Sequence, residues 1–147
     1  MYLGEAGSSS NRMKSVEEKN DEPIRKTLSA LIVDDDALIR KVHLTILKSL
    51  GFVAQVASNG KEAVDVFRSG ANFDIVFIDM DMPIMNGIEA TKELRDMGVT
   101  SKIVGVNSCD TDAEKKAFIE AGLDFCLLKP LNEAKATPFL EEIQNIM

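Results

Sequence analysis

Four short stretches of this chain carry the residue types that hold cations and stabilise charged groups. Asp34, Asp35 and Asp36 follow the apolar run Ala30-Leu31-Ile32-Val33, and Asp79 and Asp81 follow Ile75-Val76-Phe77-Ile78. Asn107 and Ser108 end a third run, and Lys129-Pro130 ends a fourth. Two carboxylates roughly 4 Å apart repel by about 4 kcal/mol at an effective dielectric of about 20. A cation removes that cost. Hard oxygen ligands suit Mg²⁺, which takes few protein groups and keeps several waters. A divalent ion, a lysine on a flexible stem and a hydrogen-bond donor together make a place for a phosphoryl group. Taken singly, each stretch has a plainer meaning as a solvated acidic loop or a turn. Their joint order, each ending its own apolar run, is what points to chemistry.

Such groups meet only if the runs are strands of one sheet. Five aliphatic runs qualify: Leu28–Val33, Phe52–Val56, Ile75–Ile78, Ile103–Val106 and Leu123–Leu128. They are short, rich in branched residues and broken by Gly, Asp or Asn, as buried parallel strands are. Between them lie helical patterns. In Ala37–Leu50 the apolar positions Leu38, Val42, Ile46 and Leu50 recur every fourth residue, and Gly51 ends the pattern. Asn59, with Glu62 three positions on, opens a second helix that runs to Gly70. A third spans Ile88 to Met97, after Asn86-Gly87. Thr111 and Glu114 have the spacing of a capping box, in which hydroxyl and carboxylate each take an orphan amide. A fifth helix runs from about Asn132 to the end, with Pro138 inside it. Strand and helix alternating five times predict a doubly wound α/β sheet with helices on both faces. Such sheets bind ligands outside the carboxyl ends of their strands.

Composition excludes several classes. Of 147 residues, 45% are apolar and 28% charged, the balance of a globular domain. No apolar run is long enough to span a bilayer, and the N-terminus lacks the pattern of a secretory signal. Residues 1–27 are polar, balanced in charge and predicted to be a flexible extension; residues 28–147 form the domain and carry the whole net charge of −7. That acidic balance argues against nucleic-acid binding. Two cysteines, Cys109 and Cys126, show no metal-ligand spacing and fit a reducing compartment, cytoplasmic or nuclear. The lone histidine, His43, lies beside the apolar face of the first helix and is expected to be non-catalytic and partly exposed. Its isolation argues against a His-based metal site or serine-type triad. Met80, Met82 and Met85 read as a packed loop.

The motifs Leu31-Ile32-Val33-Asp34-Asp35-Asp36, Asp79-Met80-Asp81-Met82-Pro83-Ile84-Met85-Asn86-Gly87 and Leu128-Lys129-Pro130 resemble those of the receiver domains of two-component response regulators. The resemblance covers about residues 28–147 and implies a flavodoxin-like sandwich of five strands, order 2-1-3-4-5, with five helices. It implies that Asp79 is the phosphoacceptor, that Asp34, Asp35, Asp79 and the backbone carbonyl of Asp81 hold Mg²⁺, and that Lys129 pairs with phosphoryl oxygens. Lys129-Pro130 matches the position of a cis peptide in the family. Two positions depart from the pattern: Asn107 stands where the family has Thr or Ser, and Cys126 where it has a switch aromatic. Asp81 and Cys109 occupy positions that tune dephosphorylation in the family.

Only 18 residues follow Lys129, so the reading is a stand-alone, monomeric receiver without an output domain. It looks most like the plant type-C response regulators. Their partners are histidine-containing phosphotransfer proteins of the cytokinin phosphorelay, and some members act as phosphohistidine phosphatases. A receiver cut from a hybrid histidine kinase is the other arrangement weighed. A different class of function is a pseudo-receiver, a docking module whose Asn107 has cost it phosphorylation. Flavin binding on the same fold is weaker, since Trp is absent, Tyr2 is the only tyrosine and no Ser/Thr-rich loop follows the first strand. A partner must bring its histidine to the carboxyl edge, so contacts are expected from the first helix and the loops after strands one and five. Leu38 and Ile39 share that helix start; one faces the core and the other is free to contact the partner.

Overall fold

In the computed structural model, which describes residues 27–107 and 111–146, every apolar run anticipated above becomes a strand. The strands are β1 (Ser29–Val33), β2 (Val53–Ala57), β3 (Ile75–Asp79), β4 (Lys102–Asn107) and β5 (Phe125–Leu128). Between and after them lie α1 (Ala37–Ser49), α2 (Gly60–Arg68), α3 (Gly87–Asp96), α4 (Asp112–Glu120) and α5 (Glu133–Ile146). All four strand pairs are parallel, and the order across the sheet is β2-β1-β3-β4-β5. Residues 1–26 and the pair Ser108 and Cys109 lie outside the described residues.

Two cores result from the period of two along each strand. Leu31, Val33, Val76, Ile78 and Ile103 pack with Ala63, Val64 and Phe67 of α2, Ala90 and Leu94 of α3, and Phe118 of α4. Ala30, Ile32, Ile75, Phe77, Val104 and Val106 face the other way, onto Leu47 of α1 and Ala136, Phe139 and Ile143 of α5. Each large apolar side chain among them, fully buried, stabilises the fold by about 1.5–3 kcal/mol relative to exposure. β1, β3 and β4 are therefore apolar on both faces. β2 and β5 are the edges, and burial is not their rule: Val53, Val56, Phe125 and Leu128 are exposed. β5 also starts at Phe125 and not at Leu123, which is buried in the preceding turn.

Local chemistry sets the helix starts. Asp36 caps α1, its Oδ1 accepting from the Leu38 and Ile39 N–H groups at 2.9 and 3.2 Å. The third aspartate of the acidic run is thus an N-cap. Asn59 caps α2 through the Glu62 N–H, and Asn86 with Glu89 forms a full capping box on α3. At α4 the expected box is altered: the Glu114 N–H donates to Thr111 Oγ1, but the Glu114 carboxylate accepts from the Thr111 hydroxyl. Asn132 caps α5 by accepting from the Lys135 N–H at 2.9 Å, and Pro138 sits inside that helix.

The first helix departs from the expected orientation. Leu38 is 69% exposed and Val42 43%, whereas Leu47 is fully buried and His43 is 3% exposed. Leu38 and Val42 of the every-fourth-residue stripe lie on the outer face of α1 while Leu50 at its end packs on the second core, and His43 is buried where partial exposure was expected. A spacing of four drifts around a helix of 3.6 residues per turn, so apolar residues alone did not define which side meets the sheet. The packed-loop reading of the methionines matches the structure: Met80 and Met82 are buried, with Met85 packed against them.

Candidate functional site

The parallel sheet brings the ends of β1, β3, β4 and β5 to one edge, and the residues singled out by their chemistry sit there. Asp34 follows β1 directly, Asp79 is the last residue of β3, Asn107 is the last of β4, and Lys129 follows β5. Asp34 and Asp79 are buried and Asp35 is exposed, yet one carboxylate oxygen of each lies within 4.8 Å of the others. Lys129 Nζ stands between two of them, 3.0 Å from Asp34 Oδ2 and 3.3 Å from Asp79 Oδ2. The Lys129-Pro130 peptide is cis, at the position the resemblance indicated.

The electrostatics follow from burial and crowding. Burial pushes the Asp79 carboxyl up, the Lys129 ammonium opposes this, and the Asp34 carboxylate adds to it; the outcome is a pKa of about 6. Burial alone would lower Lys129, but the Asp34 and Asp79 carboxylates outweigh it and hold the ammonium above its usual value. One ion pair thus pulls its partners in opposite directions, and at Asp79 desolvation prevails. His43 is lowered, chiefly by burial, with Asp34 acting against and Lys129 adding to the effect.

Backbone contacts hold the site in shape. Asp34 Oδ1 accepts from the Asp36 N–H at 2.9 Å, and the Asp34 N–H donates to Ala57 O of β2. The Asp34 carbonyl accepts from Arg40 Nη1 at 2.7 Å. The Lys129 N–H donates to Asn107 O at 2.8 Å, and Lys135 Nζ of α5 donates to Leu128 O and Pro130 O, on either side of Lys129. The loop after β3 is pinned at both ends, by Gly87 N–H on Met80 O and Gly60 N–H on Met85 O. Between them Ile84 has φ +73° and is exposed, and the Met85 N–H reaches back to Pro83 O at 2.8 Å. A three-residue turn of that kind is rare and strained.

Asp81 enters through its backbone N–H, which hydrogen-bonds the Asp79 carboxylate, and its side chain is exposed. Asn107 is buried, with Nδ2 3.8 Å from Met80 Sδ. Cys126 is a half-buried cysteine on β5. Arg40 and Lys135 were not read from the sequence as part of the site. A basic residue one turn into the helix that follows an acidic loop was the available signal for Arg40.

The donor set fits Mg²⁺: three carboxylates supply hard oxygens within reach of one ion, and the exposed side at Asp35 leaves room for retained waters. A doubly wound parallel sheet that collects carboxylates and one lysine at its carboxyl edge belongs to the class of α/β proteins that bind small charged ligands there. The chain belongs to the response regulator receiver domain family, which residues 30–140 match, and it is a receiver domain of two-component signalling. It is 47% identical over 134 residues to the two-component response regulator ARR22 of Arabidopsis thaliana, covering 90% of this chain and 91% of that one. It is 50% identical over 116 residues to the two-component response regulator 24 of the same plant, covering 79% and 84%. Among solved structures, it superposes with a TM-score of 0.75 on a co-crystal structure of the Saccharomyces cerevisiae histidine phosphotransfer protein Ypd1 and the receiver domain of Ssk1. That match covers 84% of this chain and 93% of the other, and at 23% identity it shows the fold. No helix among the described residues is long and apolar enough to cross a membrane.

Proposed function

We propose that this chain is a Mg²⁺-dependent phosphoacceptor that takes a phosphoryl group from a phosphohistidine onto Asp79 and releases it to water. The observation that carries the reading is the Asp34–Asp35–Asp79 cluster with Lys129 Nζ 3.3 Å from the Asp79 carboxylate. An Asp79 oxygen attacks phosphorus in line; a P–O bond forms, the P–N bond of phosphohistidine breaks, and the imidazole leaves with the electron pair and takes a proton. Lys129 stays beside the nucleophile and offsets charge on the equatorial oxygens. Asp34, Asp35, Asp79 and the Asp81 carbonyl would hold Mg²⁺, which would supply further neutralisation of the phosphoryl charge. Asn107 offers its amide N–H groups where a hydroxyl is usual in the family. Attack of water on phosphorus then gives inorganic phosphate and restores the carboxylate.

The proposed donor is a histidine-containing phosphotransfer protein, in keeping with the pairing named for Ssk1 and with the plant relatives. With the group lost to water, the chain serves as a phosphohistidine phosphatase toward that partner within a cytokinin-type relay. The outer face of α1 suits a helical partner: the 69%-exposed Leu38 and the 43%-exposed Val42 form an apolar strip there, with the half-buried Ile46 one turn further on. Exposed apolar stripes of this kind receive helices. The second reading, a docking module without chemistry, draws on buried Asn107.

Incubation of a labelled phosphotransfer protein with Mg²⁺ and this chain, its Asp79→Asn variant or its Asn107→Thr variant separates the two. The expected result is loss of the partner's label with the chain as given and with Asn107→Thr, and retention with Asp79→Asn. An inert chain beside an active Asn107→Thr variant makes this a receiver disabled by Asn107, and two inert chains favour the docking reading.

A further inference from the structure

We infer that Arg40 is a positioning residue that sets the geometry of the Mg²⁺ ligands on the loop after β1; the inference rests on the phosphoacceptor reading of the site. Arg40 lies on α1, and its Nη1 donates to the Asp34 carbonyl at 2.7 Å. That carbonyl belongs to the peptide joining Asp34 to Asp35. A peptide unit is a rigid plane, so a grip on its oxygen fixes both the backbone of Asp34 and the direction in which Asp35 leaves it.

The other groups of Asp34 are already committed. Its N–H goes to Ala57 O, Oδ1 accepts from the Asp36 N–H, and Oδ2 pairs with Lys129. Asp35 is exposed, and the plane of the peptide before it is what aims its carboxylate at the cluster. A guanidinium suits the task because its charge-assisted bond is short and its planar fork is stiff. Its positive charge works the other way, since a cation beside a metal site repels the metal. Arg40 therefore has two opposed effects on Mg²⁺ binding, and the inference is that geometry outweighs charge.

The opposition makes the test sharp. Mg²⁺ binding is measured by calorimetry on the full chain, on Arg40→Met and on Arg40→Lys, with melting temperatures recorded in EDTA as a folding control. Arg40→Met is expected to weaken Mg²⁺ by about tenfold, the scale seen when a group behind a metal ligand is removed. Arg40→Lys retains the charge and loses the fork, and is expected to fall between the two. Labelling by a small acyl phosphate adds a second readout: Arg40→Met shifts the half-saturating Mg²⁺ concentration upward, while the rate at saturating Mg²⁺ returns toward that of the parent. Unchanged or tighter Mg²⁺ binding in Arg40→Met overturns the inference, as does a rate that saturating Mg²⁺ fails to restore. A parent chain that binds no Mg²⁺ overturns the phosphoacceptor reading as well, which separates the two failures.

Discussion

In EDTA at pH 8, Asp79→Asn is expected to be more stable than the unaltered chain. Asp79 is buried, and its carboxyl titrates at about 6 in place of the ordinary 3.8, so ionising it costs more in the fold than in the unfolded chain. A folded-state pKa raised for an acid works against stability above that pKa. The penalty is absent below about pH 4, grows between the two values, and is full above pH 6, where the shift corresponds to about 3 kcal/mol. Asparagine imitates the neutral acid and escapes it. The advantage of Asp79→Asn is therefore expected to shrink as pH falls from 8 to 4, read as the difference in denaturant midpoint. Mg²⁺ reverses the order at pH 8, because it binds the ionised cluster and stabilises only the chain that has it. An Asn variant less stable in EDTA at every pH contradicts this account of the site's electrostatics.

Gly87→Ala is expected to have an effect of similar size and opposite sign to the one helix propensity suggests. Alanine in place of glycine inside a helix is usually worth up to about 1 kcal/mol in its favour. At this position the first residue of α3 packs against the end of β3. An added Cβ would land on the Asp79 backbone carbonyl oxygen and lie 2.9 Å from Met80 Cα. Both neighbours are backbone, so relief requires the helix start or the phosphoacceptor strand to move, and the Gly87 N–H bond to Met80 O is lost in doing so. Overpacking of this kind costs about 1–3 kcal/mol. The expected outcome is a lower denaturant midpoint and weaker Mg²⁺ binding together, since Asp79 itself is displaced. A stable variant with normal Mg²⁺ affinity would show that α3 shifts freely.

How far the sequence disclosed this molecule depends on which interactions were local. Strands β1, β3 and β4 carried their own signal, because apolar residues on both faces of Ile75–Ile78 have one reading in an alternating chain. The acidic edge was legible for the same reason: Asp34, Asp79, Asn107 and Lys129 each end a strand, and parallel strands end on one side. The cap at Asn59 depends on a neighbour three residues away and was also visible, whereas the capping box of Asn86 with Glu89, read only as a pair preceding the helix, emerged from the structure. What escaped was tertiary. The exposure of Leu38 and Val42, and the burial of His43, depend on which side of α1 meets the sheet, and the same spacing serves either side. The exposed Phe125 and Leu128 follow from β5 being the last strand, a fact of order and not of composition. Arg40 and Lys135 reach backbone carbonyls that no side-chain pattern announces.

The most direct test of the central claim is to identify the residue that carries the phosphoryl group. The chain is phosphorylated from a labelled histidine-containing phosphotransfer protein in Mg²⁺, quenched, and reduced with borohydride, which converts an aspartyl phosphate to homoserine. Peptide mapping then locates the conversion. Homoserine at position 79 alone is the expected result. Conversion at another aspartate contradicts the assignment of Asp79, as does loss of the partner's phosphate that persists with the Asp79→Asn variant.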